Sequence, residues 1–181
     1  GIASSYGHYI RAGGIAFDYL LGRWTDARRA LDASVGRTPP GSGPVAYRLA
    51  NSLPFLVGSG AFEEADDGLP LALDLIHDVL GAQFTGPIHA AAAERELWRH
   101  EPRTALEFIE RGLEQLQVTH DWFETARLCR LGAWAVGDLA EIARQARDAA
   151  TVAEADAWLT VLRGRLERAE AAGTAAGPGP G

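Results

Sequence analysis

Apolar residues recur three and four positions apart along almost the whole chain, and few segments alternate with a period of two. This spacing places apolar side chains on one face of an α-helix, and it is the strongest local signal for helical structure. The chain has 181 residues, of which 47% are hydrophobic, so it can bury a core of ordinary size. We therefore predict an all-α fold of roughly seven to nine helices.

Capping signals indicate where several helices begin. Asp121, Asp138 and Thr151 are each followed three residues later by Glu, which is the pattern of a capping box. Pro102 and Pro87 fit the first position of a helix, where the missing N–H is not needed. These signals predict helix starts at all five positions.

Glycine and proline indicate where helices end or bend. Pro54 is expected to kink or split its helix, and Gly68-Leu69-Pro70 to interrupt the next one, because proline removes a backbone donor. From Gly173 onward the sequence is rich in Gly and Pro. We predict a repeat domain at residues 1–172 and a flexible linker at 173–181 that leads to further sequence of a longer parent protein.

Two stretches share the pattern G-x-aromatic-x-x-A-x-x-x-L. They begin at Gly22 and Gly60, and weaker copies run through Trp98 and Trp134. The pattern resembles the turn and second helix of a tetratricopeptide repeat, although successive copies lie about 37 to 40 residues apart and the standard period is about 34. We predict a tetratricopeptide-like right-handed superhelical solenoid of antiparallel helix pairs; an ordinary all-α bundle is the alternative.

A more specific resemblance covers roughly residues 45–175. It depends most on ELWRHEPRTALEFIERGLEQL at 96–116 and GDLAEIARQARD at 137–148. Both resemble the helical region of large bacterial transcriptional regulators, the broad class of the maltose-regulon activator. Such regulators have an N-terminal ATPase, a tetratricopeptide-like region and a C-terminal LuxR-type helix-turn-helix. The resemblance implies a cytoplasmic sensing or coupling region whose partners are the flanking ATPase and helix-turn-helix domains.

The chain lacks the residues for several kinds of chemistry. Without any Lys it has no P-loop lysine, and a net charge of −7 argues against a duplex-binding surface over the whole chain. Asp74, His77 and Asp78 could share one helix face as three possible metal ligands, but such spacing is common on polar helix faces. Cys129 has no His near it in the sequence, so it is expected to fill the core and not to act as a reactive thiol. We therefore expect no enzyme activity, no cofactor or metal, no direct nucleic-acid contact and no membrane span.

The candidate functional residues are polar and aromatic side chains predicted on the first helix of successive pairs. They would line a concave groove: Tyr47, Arg48, Asn51, Arg95, Arg99, Arg127, Arg130 and Trp134. Arginine binds carboxylates and phosphates through a planar fork, and Asn can bind a peptide backbone through two hydrogen bonds. The groove is predicted to hold a peptide or small-molecule effector; the alternative is a structural spacer with no ligand. The other Trp residues are expected to pack between helices.

The acidic residues and the uncapped ends of the predicted solenoid indicate further contacts with other proteins. Glu63, Glu64, Asp66 and Asp67 form either a solvated helix face or an acidic patch for a basic partner. A solenoid without capping repeats exposes apolar surface at its ends. We therefore also predict a homo-oligomer, with contacts around Tyr6, Tyr9 and Phe17.

Overall fold

The computed structural model describes residues 2–36, 38, 41–78, 81–117 and 121–175. These residues form eight α-helices and no strand, which confirms the all-α prediction. The helices are α1 (Ile2–Leu20), α2 (Trp24–Ser34), α3 (Ser42–Gly58), α4 (Phe62–Asp78), α5 (Ala82–Trp98), α6 (Pro102–Leu116), α7 (Trp122–Ala146) and α8 (Ala149–Ala175). None of these helices is long and apolar enough to cross a membrane.

The chain divides between Ala91 and Ala92 into two compact units. In the first unit α1 packs on α2 and α3, and α3 packs on α4. In the second unit α7 packs on both α6 and α8. Each unit has its own buried apolar residues, with Ile15 and Leu53 in the first and Ile109 and Leu131 in the second.

One turn geometry occurs four times in the part of the chain that the structure describes. Gly22, Gly60, His100 and Arg147 each have a positive φ, of 74°, 79°, 60° and 56°. At each turn the amide of that residue donates to the carbonyl three residues earlier, and the next amide donates five residues back. This is the Schellman arrangement, which ends a helix by satisfying its last carbonyls. It separates α1 from α2, α3 from α4, α5 from α6, and α7 from α8.

In the first three copies, the helix that follows the turn also buries an alanine at the same position. Ala27, Ala65 and Ala105 stand five residues after their turns, and all three are fully buried. The sequence pattern predicted the turns at Gly22 and Gly60. It placed the fourth copy at Gly137, but the fourth turn is at Arg147 because α7 continues to Ala146.

Pro54 does not split its helix, and two other predictions based on proline are wrong. Pro54 and Pro70 lie inside the continuous helices α3 and α4, and α5 begins at Ala82, well before Pro87. Pro54 is buried, so its ring adds apolar contact where one backbone hydrogen bond is lost. Pro70 is exposed, so water can bind the carbonyl that lacks its donor. The amides of Phe84 and Thr85 pair with the Gly81 carbonyl and start α5 early.

The capping predictions have mixed outcomes. Asp121 caps α7 as predicted, and its carboxylate accepts from the Glu124 amide at 3.0 Å. Asp138 lies inside α7, so no helix begins there. Asp148, not Thr151, caps α8 by accepting from the amides of Ala150 and Thr151, both at 3.1 Å. Helix α8 also extends to Ala175, so the start of the predicted linker is helical; residues 176–181 lie outside the described part.

The repeated turn predicts opposite effects at His100 and Gly60. A side chain in the left-handed region is strained, whereas glycine is not. We expect His100→Gly to raise the free energy of unfolding by about 0.5–1 kcal/mol, and Gly60→Ala to lower it by about 1 kcal/mol. Urea denaturation followed by circular dichroism measures both. A loss of stability in His100→Gly would contradict the turn geometry.

Candidate binding surface

The predicted groove residues fall in both units. Tyr47, Arg48 and Asn51 lie on α3 in the first unit. Arg95, Arg99, Arg127, Arg130 and Trp134 belong to the second unit. Each group is described within its own unit.

In the first unit the three predicted residues have different surroundings. The Tyr47 ring makes edge-on contacts with Tyr9 at 5.0 Å and Phe84 at 6.1 Å. Arg48 lines a crevice of about 10 Å³ beside Arg11, and burial lowers the pKa of its guanidinium. The side-chain amide of Asn51 donates to the Tyr47 carbonyl at 2.7 Å, which is a contact within its own helix. These residues therefore make mainly intramolecular contacts.

In the second unit, α5 and α7 bring a more concentrated set together. We call it the Trp/Arg face, defined by Glu94 and Trp98 on α5 and Arg127, Arg130 and Trp134 on α7. The rings of Trp98 and Trp134 meet edge-on with centroids 5.6 Å apart. On α5, Trp98 follows Glu94 by four positions, so both side chains lie on one side of the helix. On α7, Arg130 follows Arg127 by three positions and Trp134 follows Arg130 by four, so these three also share one side.

Two carboxylates balance part of the charge on this face. Burial raises the pKa of Glu94, while the nearby guanidinium groups of Arg127 and Arg130 act in the opposite direction. Burial likewise raises the pKa of Glu124, against the effect of Arg127. Arg127 and Glu124 form an ion pair at 3.8 Å, and their side chains are only 18% and 11% exposed. One oxygen of Glu124 is buried without a hydrogen-bond partner.

The two arginines on α7 therefore differ in role. Arg127 is largely covered and is paired with a buried carboxylate, so it maintains the structure of the face. Arg130 is exposed, as are the indoles of Trp98 and Trp134, at 51% and 37%. The exposed part of the face thus combines one guanidinium with two aromatic rings, which suits a ligand that has both a carboxylate and an apolar group.

The remaining predicted arginines lie near the end of α5. Arg95 is half-buried on the helix itself. Arg99 lies one residue beyond the end of α5, where its guanidinium binds Glu96 at 2.7 Å. The Arg99 side chain is 44% exposed, whereas that of Glu96 is only 15% exposed, so the pair lies at the edge of the solvent.

Sequence reasoning missed Glu94 and Glu124 as parts of the site. In the sequence, Glu94 is one of many acidic residues in the middle of the chain, and Glu124 is the partner of Asp121 in a capping box. Their spacing relative to Trp98 and Arg127 is the signal that would have found them, once α5 and α7 are known to be neighbours.

The structure also places the candidate thiol, some of the candidate metal ligands and the acidic residues of α4. The Cys129 thiol is buried, donates to the Leu162 carbonyl at 3.6 Å, and has a raised pKa because of burial. The described residues contain no cluster that could bind a metal, and the side chains of His77 and Asp78 lie outside them. The acidic residues Glu63 and Glu64 are exposed, and Glu64 binds Arg28 of α2 at 2.8 Å.

The tryptophans predicted to pack between helices do contact other rings, but most of them are not buried. Four indoles are more than a third exposed, namely those of Trp24, Trp98, Trp122 and Trp134. Each nevertheless contacts another aromatic ring, as Trp24 does with Tyr19 at 6.3 Å. Partial stacking stabilises an indole without full burial.

The pKa shifts predict opposite pH effects for two carboxylates. The folded-state pKa of Glu94 is raised, so its buried charge destabilises the fold at pH 7, and this penalty disappears as the pH falls through that pKa towards 4.5. Hydrogen bonds from Gln145 and Arg144 lower the pKa of Glu141, so its stabilising effect is present at pH 7 and is lost in acid.

We therefore expect Glu94→Gln to raise the melting temperature at pH 7 and to have little effect near pH 4.5. Glu141→Gln should lower the melting temperature slightly at pH 7 and should keep part of that effect near pH 4.5, because the folded-state pKa of Glu141 lies below 4.5. Thermal denaturation of both variants and the unmodified chain at the two pH values tests this. The same sign of change for both substitutions at pH 7 would contradict the assignment.

Comparisons with protein-family models, curated proteins and solved structures find no match to this chain. The function of the Trp/Arg face is therefore inferred from its own chemistry.

Proposed function

We propose that the chain is a helical-repeat interaction domain whose Trp/Arg face binds an extended, acidic peptide segment. The observation that carries the proposal is the edge-on pair of exposed indoles, Trp98 and Trp134, beside the guanidinium groups of α7. Exposed tryptophan and arginine together are typical of binding hot spots, because both give large contact areas and directed polar contacts.

A tetratricopeptide-like arrangement of the helices is part of this proposal. The same turn links the helices of four successive pairs, and its residues Gly22, Gly60, His100 and Arg147 are 38, 40 and 47 positions apart in the chain. First helices of neighbouring pairs also contact one another: α1 packs on α3, and α5 meets α7 through Trp98 and Trp134. In a helical solenoid, that row of first helices lines a concave binding surface. We propose such a solenoid, right-handed and built of antiparallel pairs.

The chemistry of the face favours a carboxylate-bearing partner. Arg130 can donate two parallel hydrogen bonds to an Asp or Glu side chain or to a C-terminal carboxylate. Trp98 and Trp134 offer flat apolar contact to a neighbouring aliphatic or aromatic residue. Because Arg130 is exposed, its contribution should be about 1 kcal/mol, whereas burying an indole contributes about 2 kcal/mol or more.

The resemblance to LuxR-type regulators gives this binding a role. In that setting the bound segment would come from a partner protein or from a flanking ATPase or helix-turn-helix domain. Binding would shift how the repeat region is held against those domains, which is how such a regulator transmits a signal. A spacer without a ligand is the competing function, and it predicts no peptide binding at this face.

Self-association also stays a prediction. Ile10 and Phe17 of helix α1, with Leu21 directly after its end, expose an apolar row, and Phe17 is 71% exposed. An exposed apolar row of this kind is typical of a surface that a second copy of the chain would cover. The side chain of Tyr6, the other end of the predicted contact, lies outside the described residues.

Peptide selection tests the proposed function directly. Random decapeptides displayed on phage, selected against the 181-residue chain, should become enriched in Asp and Glu next to an apolar residue. Fluorescence anisotropy with a labelled selected peptide should show about fivefold weaker binding for Arg130→Gln and about thirtyfold weaker binding for Trp134→Ala.

The matched control is Arg144→Gln, which removes an exposed arginine of the same helix that binds Glu141 at 3.2 Å. Its affinity for the peptide should equal that of the unmodified chain. Two results would refute the proposal and leave the spacer function. The first is selection of peptides that contain no acidic residue, and the second is an unchanged peptide affinity in both Arg130→Gln and Trp134→Ala.

A further inference from the structure

A second concave feature lies on a different part of the second unit. The end of α6, the start of α7 and the C-terminal part of α8 border an open cavity of about 440 Å³. Gln117, Trp122 and Arg165 are among the residues that line it. No lining residue belongs to the Trp/Arg face, so this cavity is independent of the proposed function.

The lining is cationic and contains no carboxylate among the described residues. Arg165 and Arg168 are three residues apart on α8 and both border the cavity. Arg165 is half-buried, and its two terminal nitrogens donate to the side-chain oxygen of Gln117, at 2.5 and 2.7 Å, when that amide is oriented with its oxygen towards the guanidinium. A neutral amide fixes the position of this guanidinium without neutralising its charge.

Most of the other residues that line the cavity are apolar. Leu113 and Leu116 are buried and form its floor, while the exposed indole of Trp122 forms one wall. Ala169 and Ala172 keep the α8 side free of bulky groups. A volume of this size is in the range of small-molecule sites, which are usually mostly apolar with a few polar groups that fix orientation.

We propose that this cavity binds a small organic anion with a flat apolar body. The anionic group of the ligand would lie between the guanidinium groups of Arg165 and Arg168, and its body would rest on the Leu113/Leu116 floor against Trp122. A carboxylate or a phosphate head satisfies the two arginines equally well, since both accept paired N–H donors. The apolar floor distinguishes such a ligand from a free inorganic anion.

Four probes separate these features by isothermal titration calorimetry with the 181-residue chain. They are 1-naphthoate, 1-naphthyl phosphate, the neutral 1-naphthamide and inorganic phosphate. The two naphthyl anions should bind at least about tenfold more tightly than 1-naphthamide or inorganic phosphate, because only they use both halves of the cavity. The ratio between the two naphthyl anions then identifies the preferred head group.

Substitutions assign the binding to the cavity. Arg165→Gln and Arg168→Gln should each weaken the binding of 1-naphthoate about tenfold. Trp122→Ala should weaken the binding of both 1-naphthoate and the neutral 1-naphthamide. Arg163→Gln is the matched control, because Arg163 is an exposed arginine of α8 outside the cavity lining. Circular dichroism of each variant confirms that the helices are intact.

Three results would overturn the proposal. They are no binding of either naphthyl anion, equal affinity for 1-naphthamide and 1-naphthoate, and an Arg163→Gln effect as large as that of Arg165→Gln. If Arg165→Gln does not fold, Arg168→Gln still decides the matter, because the Arg168 side chain is exposed and has no part in the Gln117 contact.

Discussion

Replacing Gly132 by Ala is expected to lower the free energy of unfolding by up to about 2 kcal/mol. The methyl group would lie 2.8 Å from both terminal carbons of Leu162, which is buried on α8. Overpacking of this kind costs about 1–3 kcal/mol, and the better helix propensity of Ala recovers about 1 kcal/mol. Urea denaturation followed by circular dichroism measures the change.

Gly137→Ala provides the matched control on the same helix. Gly137 is exposed, and nothing lies within 4 Å of a methyl group added there. Ala should therefore raise the free energy of unfolding by about 0.5–1 kcal/mol through helix propensity alone. If both substitutions stabilise the protein equally, α7 and α8 do not approach closely at Gly132.

A double-mutant cycle identifies Leu162 as the neighbour. Leu162→Ala alone should cost about 3 kcal/mol because it leaves a cavity. Adding Gly132→Ala to that variant should cost little further, since the clashing carbons are gone and the new methyl partly fills the space. Strictly additive effects would show that some other contact limits the side chain at position 132.

Arg127→Ala is expected to destabilise the protein by about 2–4 kcal/mol, far more than Arg130→Ala. The substitution leaves the buried carboxylate of Glu124 without its ion-pair partner. Removing one member of a buried pair is costly because the remaining charge stays desolvated. Arg130 is exposed, so its truncation should change stability by about 0.5 kcal/mol at most. Chemical denaturation at pH 7 gives both values.

The destabilisation caused by Arg127→Ala should depend on whether the Glu124 carboxyl is protonated. Its pKa is already raised by burial, and loss of Arg127 raises it further, so the carboxyl protonates more readily and the destabilisation shrinks at pH 5. Adding Glu124→Gln to Arg127→Ala should restore most of the stability at pH 7. A destabilisation that neither pH nor Glu124→Gln reduces would mean that Arg127 stabilises the fold by packing alone.

The sequence was informative where local chemistry decides the structure. Asp121 caps α7 because an Asp followed by a free helical amide satisfies a backbone donor locally, and Gly22 and Gly60 take positive φ values that other residues avoid. The all-α class followed from the helical spacing of apolar residues.

The sequence was misleading where tertiary packing overrides local preference. Pro54 does not break α3 because the residues around it, Ser52 through Val57, are all buried and held by their contacts. The turn at His100 was not predicted as a left-handed position because its residue is not glycine. For the site, Arg130 and Trp134 were identified from helix position, but Glu94 and Glu124 became visible only when α5 and α7 were known to be neighbours.

The five indole N–H signals of the chain report whether the Trp/Arg face binds an acidic segment. A ¹⁵N-labelled chain, with signals assigned by single Trp→Phe variants, is titrated with the selected acidic peptide. We expect saturable shifts of the Trp98 and Trp134 signals, with the signals of Trp24 in the first unit and Trp122 at the α6–α8 cavity unchanged. Shifts confined to Trp24, Trp122 or Trp158, with Trp98 and Trp134 unmoved, would contradict binding at the Trp/Arg face.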